Sequence, residues 1–337
     1  MIARGALTAA AVLLLAVSFF ANLSVGTITI PWTDIVSAFF RFDPDNYGHY
    51  VVFYQRLPRA LIAIYVGATM AIGGVVLQDL TRNPLASPST LGINAGATVF
   101  VIAGVFLFDL SVPAQGMAAL AGGVAGFLGC LAVARMADQS RDPRGLALIL
   151  SGALVSMLLV SIANAFLLSD PTRRTDFLGW VTGNINHVYA DRLALFWWIG
   201  VIAFATLLLL ARPLALITLG PEKAASAGVN VSMVSRLALT AVMLAAASAV
   251  AICGPVGFVG LVVPHIVRPL AGGRIGLALP AGGLVGGIIC LLADLAARMA
   301  FAPYVLHTGL LMDLIGGLIF ALIVKRYYLT PGAGVRS

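Results

Sequence analysis

Residues 56–97 read RLPRALIAIYVGATMAIGGVVLQDLTRNPLASPSTLGINAGA, and this stretch decides the fold. Two arginines, Arg56 and Arg59, flank a proline at its start. About twenty apolar and small residues follow, which is the length that spans a bilayer. The stretch ends in a polar loop rich in Pro, Asn and Ser, which favours a turn. The pattern therefore predicts one membrane crossing that joins a basic end to a turn-rich end.

The whole chain has the composition of a membrane protein. Of its 337 residues, 61% are hydrophobic and 10% are charged, which excludes an ordinary soluble domain and predicts an all-α polytopic membrane protein. The formal net charge is +7, but the basic residues lie singly between apolar runs, so nucleic-acid binding is not indicated. The three cysteines lie inside apolar runs without metal-ligand spacing, and we expect them to be buried packing residues rather than metal ligands.

Apolar runs predict about ten transmembrane helices in a single domain. They cover about residues 6–23, 58–78, 88–108, 114–134, 146–168, 193–212, 233–253, 256–270, 276–297 and 308–325. The first run could be a cleavable signal, but its length and the lack of a small-x-small cleavage site favour a retained helix. Residues 26–55 predict a surface loop with one short interfacial helix. The run at 256–270 reaches only about 22 Å, so its Gly and Pro residues predict a broken helix that neighbouring helices bury.

Basic residues set the expected orientation. Ten crossings place both termini on one side, and the positive-inside rule assigns that side to the cytoplasm. Thirteen of the 20 Lys and Arg residues then lie inside. The seven outer ones are Arg41, Arg56, Arg59, Arg173, Arg174, Arg192 and Arg298. The bias is modest, so the outer arginines need an explanation of their own.

An inner loop at about residues 219–231 contains a short amphipathic segment. Pro221 is typical of a helix start, and Gly228 and Asn230 are typical of a helix stop. A small, flat alanine face on the cytosolic side indicates either a docking surface for a partner or an ordinary loop helix on the membrane surface.

Four blocks of this sequence resemble a known family. They are residues 56–97, LGPEKAASAGVNV, GPVGFVGLVVPHIVR and ADLAARM, and they occur in family order between Arg56 and about Arg326. They are similar to the signature blocks of the FecCD family, the permease subunits of ABC importers for ferric siderophores, haem and vitamin B12. The resemblance implies a ten-helix permease of the type II ABC importer architecture in the bacterial inner membrane. It also implies a metal-chelate substrate and the following partners: a second permease subunit, identical or paralogous, two cytosolic ATPase subunits that carry ATP and Mg, and a periplasmic substrate-binding protein.

The resemblance also assigns roles at the outer mouth. Arginines that match Arg56, Arg59 and Arg298 meet acidic residues of the binding protein, and an arginine fork suits a carboxylate. The alternative is that these side chains reach individually to the outer headgroups. Asp294 lies four residues before Arg298 and could pair with it within one helix.

At the inner side the resemblance places a gate and a coupling segment. Asn83 and Leu85 match positions that narrow the exit, although a proline-rich turn without a gating role is the alternative. Within the coupling helices at about 219–231, Glu222 would make a polar contact with the ATPase subunit, and Gly228, followed by Val229, would allow a sharp bend. A second gate loop, residues 138–144, matches the family poorly and receives no assigned residue.

Polar residues inside the spans are candidates for the translocation path. Ser161 and Asn164 lie three residues apart on the fifth span and share a face. They line the path or bond neighbouring helices. Asp313 departs from the family, which has a small residue there, and we expect its carboxylate to face the bundle or a cavity, near His307 or Arg298.

Three functional classes compete. The only lysines, Lys223 and Lys325, have no Gly before them and no Ser or Thr after them, so a Gly-x-x-x-x-Gly-Lys-Ser/Thr phosphate-binding motif is absent and the chain is not predicted to be an enzyme. This favours a permease driven by partner ATPases, with a ferric siderophore as substrate and haem or cobalamin as alternatives. An ion-coupled secondary transporter would need a central carboxylate relay. An intramembrane enzyme would need a catalytic motif, and the sequence shows neither feature.

Overall fold

The computed structural model describes residues 2–26, 28–136, 146–300 and 304–325, and within these ranges it contains helices and no strand. The helices, in chain order, are α1 Ile2–Ser24, α2 Trp32–Phe40, α3 Tyr47–Tyr50, α4 Leu57–Thr81, α5 Ile93–Phe108, α6 Val112–Met136, α7 Leu146–Ser169, α8 Pro171–Val181, α9 Ala190–Leu209, α10 Ala211–Thr218, α11 Pro221–Ser226, α12 Val231–Cys253, α13 Val259–Ala271, α14 Ile275–Met299 and α15 Thr308–Val324.

Ten of these helices account for the predicted crossings. In the described ranges, six segments are long and apolar enough to cross a membrane, and they contain α4, α6, α7, α9, α12 and α14. Four shorter apolar segments belong to α1, α5, α13 and α15. The prediction of an all-α membrane fold with about ten transmembrane helices is confirmed.

Helix ends differ from the apolar runs where proline and aromatic residues intervene. Residues 26–55 hold α2, α3 and a π-helical segment that begins at Val51, where one short helix was expected. The apolar run at 193–212 forms parts of two helices: α9 ends at Leu209 and α10 starts at Ala211. Pro213 lacks a backbone N–H, so it fits the first turn of a new helix better than the interior of a long one.

The crossing that opened the sequence analysis, α4, is the centre of the bundle. It packs against α12, α13 and α14, and most of its residues are buried. Glycines allow these close approaches, since a Cβ on Gly67 would collide with the backbone of Gly286 and a Cβ on Gly74 with that of Gly260. The helices therefore touch backbone to backbone along α4.

The predicted broken helix is present between α12 and α13. Residues 254–258 are not helical, Gly254 and Phe258 both have positive φ, of 82° and 59°, and α13 begins at Val259. The neighbouring loop covers the break, since the Asn184 N–H donates to the Cys253 carbonyl at 2.9 Å. The Asn94 amide also donates to the Val256 carbonyl at 3.3 Å, so protein groups supply partners at the break, as the membrane interior requires.

Candidate functional site

At one end of the bundle, which we name the arginine end, a buried carboxylate organises the side chains. Asp294 of α14 is 0% exposed. It accepts hydrogen bonds from Arg59 Nε of α4 at 2.8 and 3.0 Å and from Thr308 Oγ of α15 at 2.9 Å. A buried carboxylate of this kind needs both a counter-charge and hydrogen bonds, and it has both.

Arg298 and Asn22 complete the cluster. Arg298 Nε lies 3.4 Å from Asp294 Oδ2, the pairing that the four-residue spacing allows. Its Nη2 donates to the Asn22 carbonyl at 3.1 Å, and the Asn22 amide donates to Asp294 Oδ2 at 3.4 Å. Asp294 therefore ties together α1, α4, α14 and α15.

Arg56 holds a different segment. Its Nη1 donates to the carbonyls of Leu23 and Ser24 at 2.7 Å each, and its Nη2 donates to the carbonyl of Ile28. The side chain thereby fixes the loop that follows α1. Arg56, Arg59 and Arg298 are 6%, 8% and 7% exposed, whereas side chains that reach individually to headgroups would be largely exposed.

A cavity of about 360 Å³ lies above this cluster. Its lining residues are Gly26, Ile28, Ile30, Tyr47, Val51, Gln55, Arg56, Arg59, Asn184, Asn186, His187, Arg298 and Val305. Among the described residues, three arginines and no acidic residue line the cavity, and the buried Asp294 pairs with only Arg59 and Arg298, so the cavity carries excess positive charge. Arg59 Nη2 is buried without a hydrogen-bond partner among the described residues. The arrangement is suited to an incoming carboxylate, which could satisfy that donor.

At the opposite end of α4, which we name the α11 end, the turn with Asn83 is held by its own side chain. Asn83 is buried, its Oδ1 accepts from the Leu85 N–H at 2.9 Å, and its carbonyl accepts from the Ala86 N–H at 3.2 Å. Leu85 is half-buried. Asn83 thus shapes the turn that presents Leu85.

The sequence analysis missed an ion pair at this end. Asp79 of α4 lies 2.7 Å from Arg268 Nη2 of α13. No short-range spacing connects these residues, which lie 189 positions apart.

The predicted coupling segment, about residues 219–231, contains one short helix, α11, which follows α10 and precedes α12. Gly228, with φ of 82°, ends α11 in a Schellman motif, in which the Val229 N–H donates to the Ala224 carbonyl at 3.0 Å. Glu222 is exposed on α11. The expectation for Asn230 is corrected, since its side chain caps the start of α12 by accepting from the Met233 N–H at 3.0 Å and does not end α11.

The predicted path residues lie on exposed faces. Ser161 and Asn164 are exposed on α7, and the Ser161 hydroxyl donates to the carbonyl of Met157 within the same helix. Asp313 is exposed on α15, and its carboxylate lies against Gly257 in the helix break. Its expected neighbour Arg298 is instead paired with Asp294. The three cysteines are free and buried, as expected, and no group of His, Cys, Asp or Glu in the described ranges could hold a metal ion.

Comparison with known proteins identifies similarity along most of the chain. A family model described as the FecCD transport family matches residues 14–326. The chain is 33% identical to the Fe(3+) dicitrate transport system permease protein FecD of Escherichia coli, over 90% of this chain and 93% of that protein. It is 31% identical to the cobalamin import system permease protein BtuC of Halobacterium salinarum, over 88% of this chain and 80% of that protein.

A solved structure shows the same architecture. It is described as an inward-facing conformation of a metal-chelate type ABC transporter, and it superimposes with a TM-score of 0.79 at 27% identity. The match covers 96% of this chain and 99% of that one. The expected type II ABC importer permease architecture is confirmed.

Proposed function

Because this chain belongs to the FecCD transport family, we propose that it is the permease subunit through which an ATP-driven importer moves a ferric siderophore into the cytoplasm. The observation that carries the proposal is the similarity of nearly the whole chain to iron-chelate and cobalamin permeases. ATP hydrolysis in this family lies in separate subunits. A haem or cobalamin complex is the alternative substrate, favoured by the similarity to a cobalamin permease.

We assign the arginine end to the periplasmic side and both termini to the cytoplasm, in agreement with the positive-inside rule. The cavity at the arginine end then receives acidic side chains of a substrate-binding protein. Its excess positive charge and the unpartnered Arg59 Nη2 support this role for Arg56, Arg59 and Arg298. Because the guanidinium groups already have partners, they are held in place before docking, which lowers the entropy cost of binding.

The α11 end meets the ATPase subunits. Around Gly228 the surface of α11 consists of small exposed residues, and Ala224 alone is fully buried against the bundle. This leaves a shallow helical surface that a groove on a partner can accept, with Glu222 and Val229 at its edges. Asn83 and Leu85 lie at the same end of α4 and close the exit.

The exposed faces of α7 and α15 meet a second permease subunit across the translocation path. Only 17% of an 18-residue apolar stretch of α7 is buried inside the bundle, compared with 78% of the corresponding stretch in the segment that contains α4. Ser161, Asn164 and Asp313 supply polar groups on these faces, which suits a water-filled path better than lipid.

Proteoliposomes provide the test. The purified chain should hydrolyse no ATP alone, and its complex with the cognate ATPase and binding protein should take up a ferric siderophore when ATP is supplied. A complex with a hydrolysis-deficient ATPase subunit serves as the control. Substrate-driven proton flux through this chain alone would overturn the proposal in favour of a secondary transporter.

A further inference from the structure

Asp313 occupies an unusual place on α15. Leu310, Leu314, Leu318 and Leu322 recur every fourth residue and are all largely exposed, so they mark an apolar face that no other described helix covers. Asp313 is exposed at the edge of that face, about 60° around the helix from Leu310. It lies about 7.5 Å along the helix axis from Thr308, which is more than one turn inside the span. The chain therefore exposes a carboxylate within the membrane-spanning part of the bundle.

The carboxylate has a fixed position. Its Oδ1 lies against Gly257 so closely that a Cβ on Gly257 would collide with it. One turn along α15, a Cβ on Gly316 would collide with the side chain of Phe258. The break between α12 and α13 thus packs closely on α15 and orients Asp313. In secondary transporters, polar groups beside interrupted helices commonly form the substrate site.

Asp313 differs from Asp79 of α4 and Asp294 of α14 in lacking a paired cation among the described residues. Asp294 pairs with Arg59 and Arg298, and Asp79 pairs with Arg268. Among the described residues, none forms an ion pair with Asp313. An ionised carboxylate within a membrane is costly unless it faces water or meets a positive charge.

We propose that Asp313 is a specificity-determining residue that binds a positively charged group of the transported chelate, such as a protonated amine. This inference rests on the proposed function and adds a substrate class to it, because a fixed negative charge on the path favours cationic chelates and repels anionic ones. At a separation of several ångströms in a partly dehydrated path, the discrimination should reach about tenfold or more.

The test compares two iron(III) complexes that differ in one charge. One is a linear trihydroxamate complex with a free primary amine, and the other is the same complex with the amine acetylated. Initial ATP-dependent uptake of both is measured in proteoliposomes with the complete transporter. The readout is the ratio of the two rates, which a general loss of folding or assembly would not change.

The unmodified transporter should prefer the amine complex, and Asp313→Asn should lower the rate ratio by about tenfold. Asp313→Glu should keep most of the preference, and Asp313→Ala serves as a second neutral variant if Asp313→Asn does not assemble. An equal ratio in the unmodified and neutral proteins would overturn the inference while leaving the proposed function intact. Absence of ATP-dependent uptake of both complexes would overturn the proposed function and this inference with it.

Discussion

Replacing Asp294 with asparagine tests whether the arginine end depends on one buried charge. The substitution keeps the size and shape of the side chain and removes its negative charge. Arg59 and Arg298 then remain buried within one cluster without a counter-charge, and the new amide N–H groups point at cationic donors. At the arginine end, α1, α4, α14 and α15 lose the negative charge that they share.

The expected loss can be worked out from the contacts. Removing one partner of a buried ion pair costs about 3–5 kcal/mol, because the other charge stays buried. Asn retains one acceptor oxygen, which can still bond the Thr308 hydroxyl at its present distance of 2.9 Å. We therefore take the lower value of about 3 kcal/mol, which corresponds to about a hundredfold change in the ratio of folded to unfolded protein.

The assay is denaturant titration of the purified chain in mixed micelles, followed by circular dichroism. Asp45→Asn is the matched control, because Asp45 is exposed and the chemical change is identical; its free energy of unfolding should change by less than about 0.5 kcal/mol. A decrease in the free energy of unfolding below about 1 kcal/mol for Asp294→Asn would refute the reasoning, because removing one partner of a buried ion pair is strongly destabilising.

Two further predictions concern the ends of the bundle. Arg56→Gln should weaken docking of the binding protein by about tenfold or more, because a charge-assisted contact is lost. The control Arg41→Gln, at an exposed arginine, should leave the affinity unchanged. Surface plasmon resonance with reconstituted transporter measures both affinities, and equal affinities of the two variants would contradict docking at the cavity. Gly228→Ala and Gly273→Ala introduce a Cβ at exposed positions with φ of 82° and 73° and open space around them, so both should cost about 1 kcal/mol. Only Gly228→Ala should reduce ATPase activity stimulated by substrate, and an equal effect of both variants would count against α11 as the coupling element.

The crossings were predictable because each depends on local composition. An apolar run of about twenty residues has few structural alternatives in a bilayer, so the helix expected at 58–78 is found from Leu57 to Thr81. The pairing of Asp294 with Arg298 is also local, since it follows from a spacing of four residues. The end of α11 at Gly228 follows from the preference of glycine for positive φ.

Contacts between distant segments were not predictable from one sequence. Arg59 and Asp294 are separated by 235 positions, and no periodicity connects them. Arg192, counted among the outer arginines, is 2% exposed, and it donates to the Val112 carbonyl at 2.7 and 2.9 Å and packs over the ring of Tyr189. The sequence around a charged residue near the end of an apolar run is the same whether its side chain faces lipid headgroups or bonds to a neighbouring helix. Tertiary packing determines which of the two environments the side chain occupies.

The glycine contacts of α4 limit how this bundle can change shape. Where Gly67 meets Gly286 and Gly74 meets Gly260, backbone lies against backbone, and no flexible side chains lie between them to absorb sliding. Shear between α4, α13 and α14 would drive main-chain atoms or neighbouring Cβ atoms into one another, so these three helices move as one rigid pillar. A conformational change that keeps these backbone contacts would therefore move peripheral helices such as α7 relative to the pillar, with hinges in the connecting segments.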